Sequence, residues 1–365
     1  MSKRRNPPVH LPVRLETFAD EHAKARFTEN QDIARENRAM RSAISEKDRE
    51  LESLKQRLHL LEQLDGARLS TPEWLAPKAS KSHVAIPTLL LTDIHWDEVV
   101  RPEQVGDYNK YDRAIAEKRV RRAFEGAITV TRDYVKGLDY EGFNLMLGGD
   151  VISGIIHEEL RETNADTVMG SILSVLDPLE AGITLLAKEF GKLHITAVVG
   201  NHGRNSKKPK AKNRARDNFD WLIYKLLQRH LRQPSITFNI SEAADALTTV
   251  YRVRYLLTHG DQFQGGGGIS GAAAPLMLGA HRKTRRQAAI GQPYDVMVMG
   301  HWHQTIDWPS KGLIVSGSVK GYDEYAYLSN LEPEEPQQPL WLTTPERGVT
   351  GTWPVFVQDR KAEGW

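Results

Sequence analysis

The chain is predicted to be α/β, from two patterns and a length. Five short apolar or β-branched runs, at 88–91, 143–147, 195–199, 255–257 and 296–299, each lead within two residues into a Gly, Asp or His, as buried strands do. Stretches with helical apolar spacing or helix-like composition stand among them at 112–134, 172–190 and 218–231, and strands alternating with helices indicate an α/β domain. With 365 residues there is room for one large domain and an accessory segment.

The accessory segment comes first. From about residue 16 to 64 the chain is rich in Glu, Lys, Arg, Gln and Ala and has neither Pro nor Gly. Ile33, Met40, Leu54 and Leu61 fall seven or fourteen apart, as do Ile44, Leu51 and Leu58, and the two series interleave as d and a positions of a heptad. Asn37 occupies an a position and Lys47 a d position. Two outcomes fit: a parallel homodimeric coiled coil, which a buried Asn at a favours, or one amphipathic helix packed on its own chain. Residues 1–64 are therefore expected as a helical arm and 65–82 as a linker, opened by Asp65-Gly66 and carrying Pro72 and Pro77. The main domain is expected over 83–330. Residues 331–365 are expected as a Pro-rich linker and a tail whose apolar segments add a strand or cover an edge.

Hydrophobic residues make up 40% and charged residues 26% of the chain, ordinary values for a globular protein. There is no cysteine, so disulfides and thiolate metal sites are excluded and a metal would have to be held by His, carboxylate or amide groups. No apolar stretch of about 20 residues is evident and no apolar region follows the basic N-terminus, so a cytoplasmic protein without a membrane anchor is expected.

Each apolar run leads into a short polar motif: Asp93-Ile94-His95, Gly149-Asp150, Gly200-Asn201-His202, His259-Gly260-Asp261 and Gly300-His301-Trp302-His303. All five stand where a strand leaves its sheet, the end at which open α/β folds build sites. In extended chain, residues two apart point the same way, which would aim Asp93 with His95 and His301 with His303. In residue type, order and spacing the set resembles the calcineurin-like metallophosphoesterase superfamily. The fuller segments 149–154, 200–204 and 317–322 are similar to its phage and prophage members, over most of 83–330, and its DNA-repair exonucleases are the expected functional relatives.

That resemblance implies an α/β/β/α sandwich with two divalent metal ions per chain, manganese first, with iron or zinc as alternatives. It implies that Asp93, His95 and His303 serve one metal, that Asn201, His259 and His301 serve the other, and that Asp150 bridges them. It also implies that His202 is a catalytic residue rather than a ligand, protonating the leaving oxygen. Many members follow this histidine with an acidic residue, and here Gly203 and Arg204 follow it. Two cations roughly 3.5–4 Å apart acidify a bound water and neutralise phosphoryl charge, which is what phosphate ester cleavage lacks in water.

Directly after His202 the chain carries Arg204, Lys207, Lys208, Lys210, Lys212, Arg214 and Arg216 with no acidic residue through 216. A second basic cluster, Arg282, Lys283, Arg285 and Arg286, follows the glycine run 265–268, itself expected as a lid or hinge. Basic elements flanking a phosphoesterase site suit a polyanionic backbone, and Arg204, Lys207, Lys208, Lys210, Arg282, Lys283, Arg285 and Arg286 are the expected substrate contacts. A nuclease acting on DNA is the first expectation. A small-molecule phosphatase or phosphodiesterase with a nucleotide-type substrate is the alternative, and a nucleic-acid-binding scaffold with reduced catalysis a third.

Overall fold

A computed structural model of the chain describes residues 26, 35–55, 83–263 and 273–365. Two compact units divide it, Met1–Ala79 and Ser80–Trp365. In the first, residues 35–55 are helical, and the heptad positions Met40, Ile44, Leu51 and Leu54 are each more than half exposed. Ile33, Leu58, Leu61, the 65–82 linker and the glycine run 265–268 lie outside the described residues.

The second unit contains twelve strands among the described residues: β1 (His83–Leu91), β2 (Leu138–Tyr140), β3 (Phe143–Leu147), β4 (Leu193–Ala197), β5 (Ile236–Ile240), β6 (Asp245–Val250), β7 (Val253–Thr258), β8 (Val296–Met299), β9 (Ile306–Trp308), β10 (Leu313–Val315), β11 (Gln337–Thr344) and β12 (Gly348–Phe356). One sheet runs β12-β11-β1-β3-β4-β5 with β2 beside β1, and the other runs β6-β7-β8-β10-β9. Strands β1, β3, β4 and β5 are mutually parallel, as are β7, β8 and β10. The stretch expected as linker and tail supplies β11, antiparallel to β1, and β12, antiparallel to β11.

Four helices cover the sheets: α1 (Arg113–Thr129), α2 (Val168–Phe190), α3 (Phe219–His230) and α4 (Ala273–Ala289). Asp112, Thr167 and Asn218 cap the first three, each side chain accepting from a backbone N–H in the first turn. Successive residues of a strand point to opposite faces, and that sorts the core into layers. Leu89, Leu91, Leu145, Leu147 and Ile195 face α1, α2 and α3. Leu90, Met146 and Val198 face inward and meet Tyr255, Leu257, Val298 and Ile314 of the second sheet. Leu256, Met297, Met299 and Leu313 turn outward beneath Leu276 of α4.

The result is an α/β/β/α sandwich. Its central strands are buried on both faces, which is why they read as continuous apolar runs rather than alternating ones. Each fully buried Leu, Val or Ile contributes roughly 1.5–3 kcal/mol relative to exposure. Helix α2 has the length and composition of a membrane span, contrary to the sequence expectation. Here it lays Ile172, Val175, Leu179, Ile183 and Leu186 into the core between sheet and solvent.

Candidate metal centre

Five loops at the carboxyl ends of β1, β3, β4, β7 and β8 bring the motif residues together. Backbone bonds lace the loops to one another: Asp93 N–H donates to Gly149 O (3.1 Å), His95 N–H to Asp150 O (3.0 Å) and Gly300 N–H to His259 O (3.0 Å). The approach is close enough that a Cβ on Gly149 would collide with the backbone nitrogen of Gly200. Gly149 also has φ +96°, so glycine is required there twice over.

The donors form two groups. Asp93, His95 and His303 are one, and Asp150, His259 and His301 the other, with Asn201 Oδ1 3.0 Å from His259 Nε2; a third grouping, His95, Asp150 and His202, overlaps both. Asp150 Oδ2 is the atom between them, 3.0 Å from His259 Nε2 and 4.0 Å from His95 Nε2. Its other oxygen is already used, accepting the His202 backbone N–H at 2.7 Å.

This donor set suits cations. His259 Nδ1 lies 2.9 Å from the Gly148 carbonyl, which can only accept, so Nδ1 carries the hydrogen. In the neutral ring the Nε2 lone pair then confronts two oxygens at 3.0 Å, an arrangement that needs a proton or a metal between them. In the other group, Nε2 of His95 and His303 approach to 3.2 Å, and Asp93 Oδ1 faces His303 Nε2 at 3.3 Å while buried without a hydrogen-bond partner. Burial pushes the carboxyls of Asp93 and Asp150 up, yet the surrounding imidazoles hold both below the usual carboxylate range. Against the same burial, Asp150 raises His259 to about 10. His301, buried beside His259, falls to about 4.

Backbone strain marks the same residues. Asp93, His95, Asp150, His301 and His303 all adopt positive φ, between 50° and 70°. Non-glycine residues rarely do so, and each such residue costs on the order of 1–3 kcal/mol in less favourable cases. The extended geometry expected for Asp93/His95 and His301/His303 is thus replaced by left-handed turns, and these curl both side chains of each pair toward the centre.

Behind the donors stands a buried polar layer that sequence reasoning missed. Asp220, in the first turn of α3, accepts from the backbone N–H groups of Asp150 (3.0 Å), Val151 (3.2 Å) and Gly200 (2.9 Å), pinning two donor loops with one carboxylate. Burial, then the charge of Asp150, raises its pKa to about 6. Glu98 Oε2 lies 3.2 Å from His95 Nδ1 and accepts from Ser153 Oγ at 3.2 Å, while Oε1 takes Lys320 Nζ at 2.8 Å. Lys320 is also paired with Asp323. His202 Nδ1 lies 2.8 Å from the Ser153 carbonyl, so it too carries its hydrogen there and leaves Nε2 free. The place of the missing acidic neighbour of His202 is thus held by a peptide carbonyl with Glu98 behind it. The signal in sequence was slight: Asn218-Phe219-Asp220 opening an apolar helix.

The basic segments behave differently. Lys283, expected as a substrate contact, is instead buried, with Nζ donating to Asp245 (2.7 Å) and Gln262 (2.6 Å). Arg286 pairs with the same Asp245, and Lys207 with Glu158 at 2.6 Å. Arg204 folds back on its own loop, donating to the carbonyls of Asn201, Ser206 and Lys207. Lys208, Lys210, Arg282 and Arg285 remain exposed.

No protein-family model and no curated protein matches the chain. Among solved structures it is similar to vacuolar protein sorting 29 from Cryptosporidium parvum, at 11% identity over 74% of this chain and 98% of that one, TM-score 0.30. It is also similar to Vps29 complexed with zinc from Entamoeba histolytica, at 12% identity over 74% and 99%, TM-score 0.30. A third is phosphopantetheinyl hydrolase from Mycobacterium tuberculosis, at 11% identity over 70% and 94%, TM-score 0.27.

Proposed function

We propose that the chain is a two-metal phosphodiester hydrolase acting on nucleic acid, with manganese as the first choice of metal and iron or zinc as alternatives. The observation that carries this is the convergence of seven His, Asp and Asn donors from five strand ends, with one Asp150 oxygen between two groups. Asp93, His95 and His303 would hold one cation and Asn201, His259 and His301 the other, with Asp150 shared. When bound, the pair supplies an acidified water and charge neutralisation on the phosphoryl group.

The chain's own residues do the rest. His202, with Nδ1 fixed on Ser153, exchanges protons at Nε2; burial lowers its pKa to about 3, so Nε2 takes up a proton before giving one to the leaving oxygen. Asp220 and Glu98 hold the donor loops and the His95 ring, so that little reorganisation accompanies reaction. Exposed Lys208, Lys210 and Lys212 on the segment after His202 offer charge to a phosphate backbone.

A second reading, a small nucleotide-type diester as substrate, is favoured by one observation. Lys207, Lys283 and Arg286 are engaged in ion pairs within the chain, which thins the basic rim. Incubation of the manganese-loaded protein with labelled single- and double-stranded DNA, beside an aryl phosphodiester, tests both. Cleavage of the polymer at low protein concentration is expected. Turnover of the aryl ester alone establishes the second reading, and turnover of neither overturns both.

A further inference from the structure

The surroundings of the two donor groups differ in chemistry. On the Asn201 side the adjoining cleft is lined by Arg204, Lys210 and Arg214. On the His303 side it is lined by Trp302, Tyr322 and Leu331 together with Glu332, Glu334 and Glu335. Each cleft includes a candidate metal donor in its own wall, His303 in one and Asn201 in the other.

The His303 cleft holds aromatic side chains in fixed positions. Tyr322 is half-buried and packs edge to face between Tyr108 (5.6 Å) and Tyr327 (6.4 Å), while its hydroxyl donates to Leu331 O at 2.9 Å. Trp302 packs against the core beneath the second sheet. The cleft also repels anions. Glu332 and Glu335 are exposed, and Lys320, next to the lining residue Gly321, is 3% exposed and neutralised by Glu98 and Asp323.

We propose that the His303 cleft is a nucleoside subsite, which seats the base on one side of the scissile phosphate while the remaining phosphates run toward Arg204 and Lys210. This rests on the phosphodiester hydrolase assigned above and specifies its substrate. The bond cleaved is the terminal one of a strand, or that of a short nucleotide, because a chain continuing past the cleft would bring phosphates against Glu332 and Glu335. An aromatic floor accepts any base, since every base has a π-face, so the subsite selects a nucleoside without selecting its sequence.

Calorimetric binding to the manganese-loaded full chain tests this without turnover. Thymidine 5′-monophosphate is expected to bind about tenfold or more tightly than methyl phosphate, the scale of one base–aromatic stack. Tyr322→Ala is expected to remove most of that ratio. Thymidine 3′,5′-bisphosphate is expected to bind more weakly than the monophosphate, and Glu332→Gln with Glu335→Gln to relieve the difference. A ratio near one in the unaltered protein overturns the subsite, as does a ratio that survives Tyr322→Ala or a bisphosphate preference indifferent to the glutamates. Aryl phosphodiester turnover is measured in parallel. Turnover without the ratio removes the subsite and leaves the hydrolase, whereas the ratio without turnover removes the hydrolase and leaves a nucleotide-binding cleft.

Discussion

The five donor loops and the two basic segments are both dense in charge, and folding treats them in opposite ways. In the loops, seven donors are turned toward one another, five of them through strained left-handed residues, and Asp93 Oδ1 is buried with no hydrogen-bond partner. In the basic segments the chain satisfies part of its own charge: Lys283 and Arg286 share Asp245, Lys207 takes Glu158 and Arg214 takes Asp261, while Lys208, Lys210 and Lys212 stay exposed. A folded chain that leaves polar atoms facing each other at a strand end, while neutralising cations a few residues away, keeps the unsatisfied set for something that binds there. Strain retained against a stability of only 5–15 kcal/mol points the same way.

The largest effect that sharpens this contrast is at His202. His202→Ala is expected to lower turnover about 10²–10⁴-fold on a substrate with a poor leaving group, and less on an aryl ester whose leaving group needs no proton. Steady-state kinetics on the two substrates decide it. Equal losses would make His202 an orienting group instead.

Next comes the layer behind the donors. Glu98→Gln keeps the shape but removes the charge facing His95 and strands buried Lys320 with Asp323 alone. Metal affinity measured by titration is expected to fall about 10–100-fold, as when a partner behind a ligand is lost. The pH dependence has a definite sign. Burial pushes Glu98 up, but Lys320 holds its pKa well below the usual carboxylate value, so its stabilisation is present above the unfolded pKa. It is lost as pH falls through the folded value. Urea unfolding of the metal-free protein at descending pH should therefore separate wild type from Glu98→Gln most at neutral pH and least in acid.

The smallest effects belong to the basic segments, and they divide by burial. Reversing Lys208, Lys210 and Lys212 is expected to flatten the slope of log affinity against log salt for DNA by up to about one per lost phosphate contact. Lys283→Met, by contrast, leaves Asp245 to Arg286 alone and is expected to destabilise the fold by about 1–3 kcal/mol, while leaving that slope as it was. A slope that answers to Lys283 and ignores the exposed lysines would reverse the contrast between the two kinds of cation.

How far the sequence foretold this follows from where each residue's partners lie. Runs such as 143–147 and 296–299 become β3 and β8 because burial on both faces leaves no polar position to blur the pattern. The donor motifs were legible for a related reason, each being anchored to the end of such a run. Asp220 was not, because its partners are three backbone N–H groups, which no side-chain pattern encodes. Glu98 was not, because Lys320 stands 222 residues away. The fate of Lys283 was hidden in the same way, since its acid lies on a strand of the sheet that α4 covers rather than in its own helix. Spacing shows what sits at a strand end, and it is silent on which charges meet across the fold.

The central claim is that Asp150 joins two cation sites, and metal stoichiometry tests it most directly. Equilibrium dialysis against manganese, followed by elemental analysis, is predicted to give two ions per chain for the unaltered protein. Asp150→Asn is predicted to give markedly less of both and no turnover of an aryl phosphodiester. Two ions retained at full occupancy with undiminished turnover in that variant would contradict the account.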